Sequence, residues 1–87
     1  MGMNETLKAI SDSVRRDILQ MLRSGKKTAG EIAERFDLTP ATVSYHLAKL
    51  KKAELIGEHK YKNFIYYELN TSVFEEVLTW IYTLGGK

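Results

Sequence analysis

Apolar residues recur at the three-to-four-residue spacing of helices over roughly the first fifty positions, switch to a strand-like pattern, and then return to helical spacing. Leu7 and Ile10 mark a short helical stretch from Glu5 to Ile10. Ser11-Asp12-Ser13 supplies the side-chain oxygens that cap helices. Val14, Ile18, Leu19 and Leu22 then share one face of a second helix, with Arg15, Arg16 and Asp17 beginning its polar side. Gly25 suits the C-terminal cap of that helix. Thr28 with Glu31 three residues later is a capping-box pattern, and it opens a third helix whose apolar face is Ala29, Ile32, Ala33 and Phe36. This helix stops at Asp37-Leu38. Thr39 is a good N-cap, and Pro40 suits a first helical position because its missing N–H would lack a partner there anyway. In the fourth helix Val43, Leu47 and Leu50 form a stripe that runs on to Lys51 or Lys52.

From Leu55 to Leu69 the chain is rich in Ile, Tyr and Phe, and the pattern predicts two strands, Leu55 to Lys60 and Phe64 to Leu69, joined at Lys62-Asn63. Asn63 is the residue there that best tolerates a positive φ. Asn70-Thr71-Ser72 breaks the pattern before a last helix with an apolar face of Val73, Val77, Trp80, Ile81 and Leu84, widened by Phe74 and Leu78. The predicted order is α-α-α-α-β-β-α, a mainly α fold with a small β-hairpin. Two short helices joined by a tight turn and followed by a hairpin describe a winged helix-turn-helix.

Composition narrows the function. With 87 residues there is room for one domain, taken as 1–87, and Met1-Gly2-Met3 is set aside from the fold argument. The chain has no cysteine, which removes disulfides, thiolate metal sites and cysteine nucleophiles and suits a reducing cytoplasm. No apolar run approaches the ~20 residues of a membrane span, and the N-terminus lacks the features of a secretory signal, so a cytoplasmic location is expected. A net charge of +2 is too small to argue nucleic-acid binding by itself. Its distribution is more telling: residues 39 to 63 carry 5 basic and 2 acidic side chains, whereas residues 64 to 87 carry 1 and 3. The basic segment coincides with the second helix of the motif and the wing.

In such a motif the N-terminal turns of the second helix enter the major groove. At 100° per residue the side chains pointing away from the Val43-Leu47-Leu50 stripe are Ala41, Thr42, Tyr45, Ala48, Lys49 and Lys52. Thr42 and Tyr45 offer hydroxyls to base edges or phosphates, and an alanine permits close approach to a thymine methyl. Thr39 begins the segment. Ser44 and His46 flank the stripe, as phosphate contacts or as internal braces. The hairpin tip, Lys60-Tyr61-Lys62-Asn63, suits phosphate or minor-groove contact, the alternative being an edge loop that only solubilises the strands. Lys26 and Lys27 lie just before the third helix, whose N-terminal amides favour anions. The first and last helices expose more apolar surface than a small monomer hides, so Leu7, Ile10, Phe74, Val77, Trp80, Ile81 and Leu84 are expected at a homodimer interface. Two-fold symmetry then sets two reading helices about 34 Å apart over an inverted-repeat operator in double-stranded DNA.

Leu7-Lys8-Ala9-Ile10-Ser11-Asp12, Arg15-Arg16-Asp17-Ile18-Leu19, the segment Thr39 to Leu50, and Tyr66-Tyr67-Glu68-Leu69 together resemble the ArsR-type family of winged-helix repressors. The resemblance covers nearly the whole chain and is greatest to the small SdpR-like autorepressor branch. It implies a homodimer of first and last helices that blocks transcription, often of its own gene. It also implies DNA reading by Thr39 to His46, a wing at Lys60 to Asn63, and pairing with a membrane immunity-type protein. Many relatives have proline where this chain has Ser13. Metal-responsive members carry cysteines near the third helix or His and acidic ligands on the last, and this chain has neither set. His46 and His59 have no partner at ligand spacing, so no metal and no cofactor are expected. A protein-binding winged helix is the alternative function. An enzyme is not expected, since Ser44 and His46 stand two apart on a helix and do not face each other.

Overall fold

The computed structural model describes residues 2–86; Met1, part of the N-terminal triplet set aside above, lies outside them. The elements are α1 (Met3–Ile10), α2 (Ser13–Leu22), β1 (Lys27–Thr28), α3 (Ala29–Phe36), α4 (Pro40–Lys52), β2 (Ile56–Tyr61), β3 (Phe64–Leu69) and α5 (Thr71–Gly85). The fold is mostly helical, as the periodicity predicts.

Local chemistry sets the boundaries. Asp12 caps α2, its carboxylate accepting from the Arg15 backbone N–H at 3.0 Å. Thr28 and Glu31 form the expected reciprocal capping box at the start of α3. α3 ends in the two bonds of a Schellman turn, Leu38 N–H to the Ala33 carbonyl and Asp37 N–H to that of Glu34. Asp37 takes the left-handed conformation, φ 54°, that usually calls for glycine. α4 ends the same way, with Glu54 at φ 62°, Leu55 N–H on the Leu50 carbonyl and Glu54 N–H on that of Lys51. This cap draws Leu55 into the helix end, so β2 begins one residue later than the expected Leu55 and runs one residue past Lys60.

The sheet has three strands in the order β1-β3-β2, all antiparallel. Sequence predicts the hairpin; the structure sets its register, with Ile56 opposite Leu69 and Tyr61 opposite Phe64, and adds β1, which the sequence pattern misses, where Lys27 and Thr28 pair with Tyr67 and Tyr66. Two residues are too few to show a period, and their strand character comes from β3 alone. The core gathers Ile18, Leu22, Ile32, Val43, Leu47, Leu50, Leu55 and Ile56 from both sides of the motif. α5 is pinned at its start, where Asn70 N–H donates to the Leu55 carbonyl and the Asn70 amide to that of Glu54. It then outruns the core, and the molecule measures 46 × 24 × 22 Å.

Candidate nucleic-acid interface

The turn between α3 and α4 sets how α4 is presented. Thr39 accepts from the Thr42 backbone N–H at 3.1 Å and donates its own hydroxyl proton to Thr42 Oγ1 at 2.9 Å, while Pro40 occupies the first turn. Val43, Leu47 and Leu50 are buried beneath. Ala41, Ser44, Tyr45, Ala48, Lys49 and Lys52 are exposed, and Thr42 is half-buried with its hydroxyl engaged by Thr39. The Tyr45 ring lies open to solvent under the Lys49 ammonium, 5.5 Å from its centroid. This is a polar, cationic face carrying one large aromatic.

His46 is not on that face. It is only 8% exposed, its Nδ1 lies 3.3 Å from Arg15 Nη1 and 3.9 Å from the Asp12 carboxylate, and its ring meets the edge of Tyr45. Geometrically it is an internal contact between α4 and α2, the brace that the sequence offered as one of its two roles. The same geometry points Ser44 and His46 apart, Ser44 outward and His46 inward. The Asp12 carboxyl is held below the usual carboxylate range, first by the Arg15 backbone N–H, with the Arg15 and His46 charges adding to it against a desolvation penalty. Arg15 went unrecognised at the sequence level. Its position on the expected polar side of α2 hid that its guanidinium folds back onto the Ala9 carbonyl at 2.7 Å and the Lys8 carbonyl at 3.3 Å.

At the wing, Lys60, Tyr61, Lys62, Asn63 and Phe64 are all exposed. The residue with positive φ is Lys62, at 57°, and not Asn63; the two-residue connection between Tyr61 and Phe64 places the left-handed position first. Lys62 rests over the Tyr61 ring. β1 brings Lys26 beside this hairpin, its ammonium 5.3 Å from the Tyr66 ring. Lys27 instead turns back to Ser24 and the Gly25 carbonyl. Lys51 is also turned away from the open face of α4: it pairs with Glu58, which pushes the lysine pKa up, and Tyr67 beside the pair is raised chiefly by burial. His59 lies 3.3 Å from Glu68 and stacks on Tyr66.

The residues expected at a dimer interface divide. Val77 is buried within its own chain, and Ile10 and Phe74 pack partly against the core. Leu7 is half-buried. Trp80, Ile81 and Leu84 are 42%, 51% and 70% exposed, joined by Leu78 and Tyr82, because this part of α5 extends past the core. Beside the base of α5 lies a cleft of about 480 Å³ between Ile10, Leu19, Leu69 and Phe74, rimmed by Arg16 and Arg23. Among the described residues no group of three or more His, Asp and Glu could hold a metal ion, and no helix is long and apolar enough to cross a membrane.

Comparison with known proteins agrees with this geometry. A family model described as a helix-turn-helix domain matches residues 10–58. The chain is 48% identical over 85 residues to the transcriptional repressor SdpR of Bacillus subtilis (strain 168), covering 98% of this chain and 94% of that one. It superposes on the crystal structure of an ArsR family transcriptional regulator with a TM-score of 0.85 at 26% identity, over 94% of this chain and 84% of that one. A winged helix-turn-helix DNA-binding domain from Mycobacterium bovis, homodimeric in its solution structure, shares the fold at a TM-score of 0.78 and 23% identity, over 92% and 76% of the two chains.

Proposed function

Because the chain belongs to the ArsR-type family of winged helix-turn-helix transcriptional repressors, we propose that it is a sequence-specific, cytoplasmic repressor that binds an inverted-repeat operator as a homodimer and represses its own gene. Residues 1–87 act as one DNA-binding unit with dimerising terminal helices. The observation that carries this reading is the open face of α4, which begins directly after the Thr39-Pro40 cap. Tyr45 presents a hydroxyl, Ala41 and Ala48 leave room for base methyl groups, and Lys49 and Lys52 stand where phosphates flank the groove. Lys60, Lys62 and Asn63 at the wing reach the backbone beyond. A protein-docking face would present a larger apolar patch on α4, whereas Tyr45 is its one large exposed hydrophobic residue. The membrane immunity-type partner implied by the resemblance would act by drawing the repressor away from DNA; no metal takes part.

The test is a mobility-shift titration with duplex DNA from upstream of the protein's own gene, across a salt series. Tight binding that weakens steeply with salt is expected. Absence of salt-sensitive binding both there and to a selected duplex library would sink the reading.

A further inference from the structure

The one buried ring of α4, His46, is held by a side chain of another helix that also grips a third. The Arg15 guanidinium donates through Nε to the Ala9 carbonyl and through Nη2 to the Lys8 carbonyl, at the C-terminal end of α1, and through Nη1 to His46 Nδ1. The His46 ring in turn abuts the exposed Tyr45 ring, with centroids 5.3 Å apart and planes at 69°, and Lys49 rests over that same tyrosine. A continuous line of contacts thus runs from the end of α1 to the largest side chain on the reading face.

We propose that Arg15 is a positioning residue for operator reading: it sets the seat of α4 against α1 and, through His46, the aim of Tyr45, and it does so only while His46 Nδ1 is unprotonated. The proposal rests on the DNA-binding reading and adds to it a regulation by pH. The chemistry follows from donor counting. A guanidinium has no acceptor, so the 3.3 Å contact is a hydrogen bond only if Nδ1 offers its lone pair and the ring proton sits on Nε2. Protonation puts a second cation and a second donor against Arg15. The new Nδ1–H has one acceptor within reach, the Asp12 carboxylate at 3.9 Å, so the ring turns from Arg15 towards Asp12 and releases the guanidinium.

The other charged groups around this contact do not take over that role. Glu5 and Lys8 on α1, and Lys49 and Lys52 on α4, line the small cleft that Arg15 and Tyr45 share, and three of these four are cations. The three lysines oppose a protonated His46; the fourth group, Glu5, is an anion, but the carboxylate that lies against the His46 ring is Asp12 and not Glu5. His59, the only other histidine, lies on the wing beside Glu68 and takes no part.

The measurement is the ratio of affinities of the full chain for a duplex selected by the wild-type protein and for a scrambled duplex of equal length, at fixed ionic strength from pH 5.5 to 8. The ratio cancels the uniform gain in phosphate attraction that any added positive charge brings. It should fall about tenfold towards low pH, the loss expected for one charge-assisted hydrogen bond. His46→Asn keeps an acceptor near the Nδ1 position and cannot titrate, so its ratio should be flat, while His59→Gln should keep the wild-type profile. Arg15→Lys preserves the charge and loses the three-way grip. It should lower the ratio by about tenfold at pH 8 and flatten the profile, with unchanged affinity for the scrambled duplex and a native circular dichroism spectrum. A flat wild-type profile, a profile that follows His59, or a wild-type ratio in Arg15→Lys overturns this inference while leaving the repressor reading intact. Failure of the wild-type protein to bind any duplex overturns both.

Discussion

At the scale of single residues, the side chains that matter combine a structural bond with an exposed or charged surface. Asp12 caps α2 and stands beside Arg15 and His46, and its carboxyl is held below its ordinary pKa, first by the Arg15 backbone N–H. A depressed folded-state pKa contributes stability above the unfolded-state pKa, and that contribution is lost as pH falls through the folded value. Asp12→Asn retains a capping oxygen but cannot titrate. In urea titrations it should be less stable than the wild type at neutral pH, with the difference closing below about pH 4. Tyr45 lies 56% exposed at the centre of the α4 face, supported on one side by His46. Tyr45→Ala should leave unfolding within about 0.5 kcal/mol of wild type, as for an exposed position. It should cost about 1–3 kcal/mol of preference for operator over scrambled DNA, read by competition binding.

Among the elements, the wing carries the clearest conflict between conformation and chemistry. Lys62 sits at φ 57°, a region that costs a non-glycine residue about 1 kcal/mol, at the tip of a hairpin proposed to meet phosphates. A glycine there would relieve the backbone, and the lysine keeps the charge. Lys62→Gly and Lys62→Ala both remove the cation, so both should weaken binding to every sequence and lower the salt slope by about one unit. Only the glycine variant relieves the turn, and thermal unfolding should place it above the alanine variant by about 1 kcal/mol. The elements most legible in the sequence were those with side-chain signals at both ends: Thr28 and Glu31 for α3, Thr39 and Pro40 for α4. The ends of α3 and α4 were harder, because Asp37 and Glu54 adopt the left-handed turn without the glycine that advertises it.

For the molecule as a whole, the salient fact is that α5 leaves its own domain. Val73, Phe74 and Val77 belong to the core side of that helix, while Trp80, Ile81 and Leu84 face water in the isolated chain. Exposed apolar surface of this kind on so short a chain favours self-association. A double variant, Ile81→Asp and Leu84→Asp, should sediment as the 10.0 kDa single chain, whereas the wild type should sediment at about twice that mass. Circular dichroism should show the core of the variant intact. Its operator affinity should fall by more than about tenfold, since one reading helix then binds where two did.

The order of the main helices, the helix-turn-helix and the hairpin, and the exposure of Ala41, Tyr45, Ala48, Lys49 and Lys52 on α4, were determined by sequence alone. They depend on periodicity and caps, which act over a few residues. Folding in three dimensions decided what depends on distant partners. Lys27-Thr28 became a strand because β3 was there to pair with it, which brought Lys26 to the wing. Val77 was buried while Leu78, Trp80, Ile81 and Leu84 farther along the same helix stayed open to water. Arg15 and His46, 31 residues apart in sequence, were joined into one contact between α2 and α4. A side chain's periodic position tells which face it occupies. Which donor or acceptor meets it there is fixed only when the helices pack.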